Sequence, residues 1–328
     1  MPLHPRLIGQ RVVVRRLLPD ETGHSGGPAM TDVLGILETW DDSAIGVRRD
    51  NGELVTVVLA DIVTGKPVPP RSSARLRVSP EALQRVCAGG WRGVSEQRIG
   101  EWLLRSSAGF TGRANSALIA GDPGLPLAEA LSAVHRFYAD HDCLPLAQII
   151  VGSDWMHLIE QQGWGRARPD EQDAIVQVAS VAQARRRAGP PRRDVTLTDT
   201  CAAGWLGLYG RTGGHDPRVV MQVLTSGDEV CFAQIGDPAV AIGRGVVTGD
   251  WLGLSAVEVA AEQRGQGLAT AIVDSLLAWG ASRGALSSYL QTLADNVAAL
   301  ALYERYGFTT HHAYRYLMPI DDEKGAVT

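Results

Sequence analysis

Two groups of residues in this chain have types and spacings suited to chemistry: the run Arg264-Gly265-Gln266-Gly267-Leu268-Ala269 and, further along, the pair Asn296 and Tyr303. Gly265 and Gly267 carry no Cβ, so the backbone can turn sharply there and come close to a ligand. If a helix starts at this point, its first N–H groups point outward without intrahelical partners and attract an anion such as a pyrophosphate. Asn296 and Tyr303 stand about two helical turns apart and share a face if one helix carries both. A phenol held in that way can hand a proton to a leaving group.

The surrounding sequence supplies the elements these residues need. Leu268, Ile272, Leu276 and Trp279 recur at helical spacing, and Arg283-Gly284 supplies a cationic last turn followed by a stop. Residues 251–259 before the loop and 288–293 after the helix read as buried strands. A strand, helix and strand in succession make a βαβ unit with parallel strands, which places the glycine loop at the carboxyl end of the first strand. Asp295-Asn296 then starts a second helix that Gly307-Phe308 ends.

Taken together, these residues resemble the GNAT acetyltransferase family, whose signature is Arg/Gln-x-x-Gly-x-Gly/Ala followed by an Asn-x-x-Ala-x-x-x-Tyr-x-x-x-Gly-Phe helix. Arg264, Gly267 and Ala269 match the first part, and Asn296, Ala299, Tyr303, Gly307 and Phe308 match the second. The resemblance covers residues 194–320. Within them, a strand at 195–197, short helices at 202–209 and 217–224, a hairpin of 230–235 with 240–247, and a closing strand at 314–318 follow the family's order.

That resemblance implies an α/β fold, a mixed central sheet with flanking helices, and an N-acetyltransferase that passes an acetyl group from acetyl-CoA, as cosubstrate, directly to a primary amine of a small molecule, peptide or protein. It implies that backbone groups of Val257 and Val259 pair with the pantetheine arm, and that the Val259 N–H faces the thioester oxygen. The N–H groups of Gly265, Gln266, Gly267, Leu268, Ala269 and Thr270 hold the pyrophosphate, with Arg264, Asn296 and Tyr303 completing the cofactor site. Tyr303 protonates the departing thiolate. Some relatives carry a glutamate at the position of Gln291, which cannot serve as a base, so Glu258 and a water chain are the candidates for that role. Glu258 is the carboxylate within its strand, and burial would suit it to proton abstraction. Strict alternation puts it on the face opposite Val257 and Val259, and a bulge could change that face.

The middle of the chain contains a weaker echo. Gly124 precedes a helix at 127–138, a strand at 147–151 and a helix at 154–162 that ends in Gly163-Trp164. The offsets from Gly124 to Gly267 and from Gly163 to Gly307 are nearly equal, which suggests a duplicated domain. Gly121, Pro126 and Ile159 stand where Arg264, Ala269 and Tyr303 would, so residues 75–181 read as a degenerate GNAT-like domain without a proton donor. Residues 182–193, basic and containing prolines, read as an exposed linker. Residues 1–70 hold short β-branched runs and an Asp50-Asn51-Gly52 hairpin signal, which resembles a small SH3-like β-barrel, with Pro67 to Pro70 as a tether. The whole arrangement is similar to an actinobacterial-type tandem GNAT with an N-terminal SH3-like domain.

With 328 residues and 45% hydrophobic content the chain can bury more than one core, and a net charge of −5 argues against a general polyanion binder. No long apolar run or signal-like terminus is present, and the four cysteines are scattered, which together point to a cytoplasmic protein. No metal is expected: His311-His312 is a poor ligand pair if adjacent strand residues face opposite ways. A nucleic-acid or membrane partner is not expected, and residues 321–328 read as a flexible tail. Two other functions stay open: an acyl-CoA sensor that transfers nothing, and a protein acetyltransferase whose partner is recruited through residues 1–70.

Overall fold

The computed structural model describes residues 3–22, 26–49, 52–68, 74–188 and 194–320, and the chain divides into two compact units, Met1–Ser73 and Ala74–Thr328. In the first unit, β1 (Arg11–Thr22), β2 (Pro28–Trp40), β3 (Ala44–Arg48), β4 (Leu54–Val58) and β5 (Ile62–Pro67) form an antiparallel sheet in the order β4-β3-β2-β1-β5. Val12, Val14, Val33, Leu37, Ile45, Val47 and Val57 alternate inward and make its core. Among the described residues no pairing joins β5 to β4, so the sheet is not closed into a barrel. β3 and β4 pair as a hairpin. Asp50 and Asn51, which carry most of the turn signal, lie outside the described residues. Pro67, expected in the tether, instead ends β5, and Pro69 and Pro70 lie outside the described residues.

The second unit begins with α1 (Pro80–Gly89), β6 (Ser95–Ile99), β7 (Trp102–Ser106), β8 (Ala117–Ile119), α2 (Leu127–Ala139), β9 (Ala147–Ile150), α3 (Asp154–Glu160), β10 (Trp164–Arg166), β11 (Ala174–Ser180) and α4 (Val181–Arg187). It continues with β12 (Thr196–Thr198), α5 (Ala203–Leu208), α6 (Pro217–Leu224), β13 (Glu229–Ile235), β14 (Ala241–Thr248), β15 (Trp251–Val259), α7 (Leu268–Ser282), β16 (Ser287–Leu293), α8 (Val297–Glu304) and β17 (Thr309–Pro319). Each half holds a parallel βαβ crossover: β8 with β9 across α2, and β15 with β16 across α7.

One sheet runs through both halves, in the order β12-β13-β14-β15-β16-β11-β17-β9-β8-β7-β6, with β10 added on β17. β11 inserts between β16 and β17, while β17 pairs on its other side with β9. The halves therefore exchange terminal strands and share their backbone hydrogen bonds. On one face, Leu268, Ile272, Leu276 and Leu277 of α7 pack on Leu252, Leu254 and Leu290.

The exposed linker expected over 182–193 is helical over residues 182–187. Ser180 caps α4 by accepting from the Gln183 N–H at 3.3 Å, and Val181 and Ala184 are fully buried. These two residues, one turn apart, give the basic run an apolar edge that outweighs its charge. Residues 189–193 and 321–328 lie outside the described residues.

Candidate active site

β15 and β16 pair only from Trp251↔Ser287 to Leu254↔Leu290, and beyond that point they part. Among the described residues, β15 from Ser255 to Val259 then has β14 on one edge and no strand on the other. A bulge lies in this stretch: Ala256 has φ of 51°, and the register against β14 shifts between Ile242 and Arg244. The Ala260 N–H donates to Val240 O at 2.9 Å. Alternation then turns the backbone groups of Val259 and Val257 away from β14, toward the open edge. The bulge does not change the faces of the side chains. Val257 and Val259 pack with the core under α7, whereas Glu258 turns to the other side, where its Oε2 accepts from the Gly210 N–H at 3.0 Å.

Past the end of β15 lies the glycine loop. Gly265 and Gly267 both have φ of 76°, a left-handed conformation that strains any residue with a Cβ, and a Cβ at either position would meet nothing within 4 Å. Gly267 is the N-cap of α7 and offers no capping side chain, so the N–H groups of Leu268, Ala269 and Thr270 keep their outward direction. Side chains brace the loop: Arg264 Nε donates to Val259 O at 3.3 Å and Gln266 Nε2 to Gln263 Oε1 at 3.0 Å, while Leu268 is buried in the core.

A cavity of about 670 Å³ opens at the parting of the strands, lined on one side by Val257, Glu258, Asn296, Ala299 and Tyr303. The Asn296 side chain caps α8, accepting from the Ala299 N–H at 3.1 Å. Tyr303 is buried, packed edge-on against Phe308, and burial pushes its phenol above the ordinary tyrosine value. Because Tyr303 belongs to the α7-side core and Glu258 faces Gly210, the two approach the gap from opposite sides of the sheet. Residues 264–270 are not part of this lining.

The rest of the lining includes residues that the sequence does not single out. Arg113, on the loop between β7 and β8, donates from Nη2 to Gln291 O at 3.0 Å and from Nε to the Tyr314 hydroxyl at 3.2 Å. Its guanidinium and that of Arg244 lie over the Trp91 ring, 5.7 and 4.9 Å from the centroid. Arg244 spends its donors on Leu224 O, Gly90 O and Ser226 O, and its burial lowers its pKa to about 10. Tyr209 and Arg211, just after α5, flank Gly210, whose N–H reaches Glu258, and line the cavity beside it. No motif marks these positions, since they converge only through the strand order.

In the middle half, the loop before α2 is already filled. The Asp122 N–H donates to Glu101 Oε2 at 2.7 Å, the Gly124 N–H to Asp122 Oδ1 at 2.8 Å, and Arg85 pairs with Glu101 at 2.8 Å. Carboxylates of the chain itself thus take two of the N–H groups that an anionic ligand could use, and Ile159 is fully buried in the core.

His311 and His312 do not face opposite ways. The register of β17 against β11 shifts beside them, and their Nδ1 atoms lie 2.8 Å apart. His312 continues to Gln84, Gln84 to Gln148 and Gln148 to Arg105, while His311 Nε2 meets Val78 O at 2.9 Å. Both rings are occupied by this network. Among the described residues no group of three or more metal-ligating side chains occurs, no helix is long and apolar enough to cross a membrane, and all four cysteines are free.

Comparison with known proteins accounts for both units. Residues 80–317 match the family model described as "Probable histone acetyltransferase Rv0428c C-terminal", and residues 6–66 match "Rv0428c N-terminal Sm-like domain". The first unit is therefore Sm-like, which replaces the more specific SH3-like barrel. The chain is 30% identical to a probable histone acetyltransferase, Rv0428c, of Mycobacterium tuberculosis, over 94% of this chain and 95% of that one. It is 25% identical to the "Uncharacterized N-acetyltransferase YobR" of Bacillus subtilis, over 71% of this chain and 96% of the relative. A solved GCN5-related N-acetyltransferase from Kribbella flavida shares the fold, with a TM-score of 0.53 at 13% identity over 77% of this chain and 98% of that one.

Proposed function

Given that the chain belongs to the GNAT N-acetyltransferase family, in the branch of the Rv0428c domain models, we propose that its C-terminal half transfers the acetyl group of acetyl-CoA directly to a primary amine. The observation that carries this reading is the open edge of β15, whose Val257 and Val259 backbone groups face the gap between the strands. An extended pantetheine arm is the ligand such an edge suits, because it can pair there as a strand would. The N–H groups of residues 265–270 hold the pyrophosphate, and the absence of a capping side chain at Gly267 leaves them available for it.

Three groups then divide the chemistry. Glu258 takes a proton from the acceptor ammonium. The Val259 N–H stabilises the negative charge that develops on the thioester oxygen as the amine attacks. Tyr303, kept protonated by its burial, supplies a proton to the sulfur as the carbon–sulfur bond breaks. Asn296 and Arg264 act on the cofactor site indirectly, by fixing α8 and the glycine loop. This transfer is assigned to the cytoplasm, where acetyl-CoA is available and free cysteines persist. The test is CoA release from acetyl-CoA with a panel of amines, compared between the parent and Tyr303→Phe. Release that does not depend on Tyr303 overturns the assignment.

A further inference from the structure

The charges of the cavity do not cancel evenly. Of its lining carboxylates, Asp173 is held by Arg166 at 2.7 Å and Arg315 at 2.8 Å, and Glu171 by Arg168 at 3.1 Å. Glu258 accepts from the Gly210 backbone N–H and has no arginine beside it in a salt bridge. Two lining guanidiniums likewise lack a carboxylate among the described residues. Arg113 is bonded to a carbonyl and a phenol and stacked on Trp91, and Arg211 is an exposed lining residue that follows Gly210. Behind Trp91, Arg244 is fully buried with carbonyl partners alone. Cations desolvated among neutral partners keep their field, which a low-dielectric wall directs into the cavity. The cavity thus presents one anion, Glu258, with Arg211 next in sequence to the Gly210 that holds it, and a further cation, Arg113, that has no carboxylate partner.

We propose that the acceptor is a small zwitterion of the amino-acid type, whose carboxylate seats against Arg113 and Arg211 while its amine meets Glu258. The proposal rests on the acetyl transfer argued above and names its substrate class. In the transfer, Glu258 removes one ammonium proton and the amine nitrogen bonds to the thioester carbonyl carbon. The carbon–sulfur bond breaks, Tyr303 protonates the sulfur, the second nitrogen proton passes through water to restore the Tyr303 phenol, Glu258 gives its proton to solvent, and the products are an N-acetylated acid and CoA. A lysine-rich protein tail would instead bring further positive charge against Arg113 and Arg211, so such a polycation is disfavoured.

The experiment uses the full chain with the twenty amino acids, their carboxamides and one lysine-rich peptide as acceptors. Binding is read by titration calorimetry in the presence of CoA, and transfer by CoA release from acetyl-CoA. At least one amino acid should bind and react roughly tenfold to a hundredfold better than its carboxamide, the scale of a lost charge-assisted bond. Carboxamides equal to the acids, no amino acid binding at all, or a peptide acetylated faster than every amino acid would each overturn the proposal. Binding that prefers the acid without CoA release upholds the proposed site and refutes the transfer instead. Arg113→Met should raise KM for the acid toward that of its carboxamide. Arg211→Met, a change at an exposed side chain with little bearing on folding, should move it in the same direction. An unchanged acid preference in a folded Arg211→Met protein that also persists in Arg113→Met removes the basis of the proposal.

Discussion

The Gly210 N–H donates to Glu258 Oε2 at 3.0 Å, tying the loop after α5 to the central strand and fixing the one lining carboxylate that has no arginine partner. A carboxylate oriented in this way is preorganised to receive a proton on its remaining lone pairs. Glu258→Gln keeps the shape and the backbone contact but cannot abstract a proton. Steady-state assays should show kcat falling by roughly a hundredfold to ten-thousandfold, with acetyl-CoA affinity unchanged. An unaltered kcat would assign the base to a water chain.

Tyr303→Phe removes one oxygen from a buried ring and leaves its contact with Phe308 in place. The expected loss is in turnover, roughly tenfold to a thousandfold in kcat, because the proton is needed only as the thiolate leaves. Equal loss in acetyl-CoA binding, read by calorimetry, would make the ring a packing residue instead.

Gly267→Ala combines two effects. The methyl group meets no protein atom within 4 Å, but φ of 76° costs an alanine about 1 kcal/mol of stability. The same methyl group points into the space where a pyrophosphate would approach, so acetyl-CoA should bind at least about tenfold more weakly, while the melting temperature falls only a few degrees. Parent-like affinity in this variant would reduce the loop to a structural joint.

Acetyl-CoA should bind the full chain once. Two N–H groups of the loop before α2, those of Asp122 and Gly124, are spent on Glu101 and Asp122, and Arg85 holds Glu101 in place. Calorimetry of the parent should give a stoichiometry near one, and Glu101→Gln should leave it unchanged. Binding at two sites per chain would show that the filled loop can open.

A pH dependence of stability should come from His312. Burial first, and the neighbouring His311 second, lower its pKa to about 4 from the ordinary histidine value of 6.5. The folded chain then prefers the neutral ring, whose Nε2 accepts from Gln84. This stabilisation is complete above pH 6.5 and is lost as the pH falls toward 4, because the unfolded state takes up the proton first. Urea unfolding between these values should show a loss on the order of 3 kcal/mol attributable to this site, and His312→Gln should flatten that part of the profile.

Local pattern makes much of the C-terminal half legible in the sequence. Residues 251–259 and 268–282 announce themselves by apolar runs, a helical stripe and the Arg283-Gly284 stop, and the structure forms β15 and α7 there. The failures have physical causes. β5 contains Gly65 and ends in Pro67, so its strand pattern is weak, and α4 hides a two-residue apolar edge among arginines. The His311-His312 reading fails because a register shift overrides simple alternation. Arg113, Trp91 and Arg211 carry no signature, because their meeting depends on contacts between residues as far apart as Arg113 and Gln291. Pairwise strand order is information that periodicity does not contain.

The placement of β11 has a consequence for how this protein is made. Both of its neighbours, β16 and β17, follow it in the chain, and β17 is also the partner that β9 awaits. During synthesis β11 leaves the ribosome with two bare edges and no partner to take them, and the sheet of the middle half stays open until nearly the last residue has emerged. Such edges attract other chains. Truncation between residues 181 and 309 should therefore yield aggregates rather than a smaller working protein, so a stop in that range would remove the middle half along with the C-terminal one.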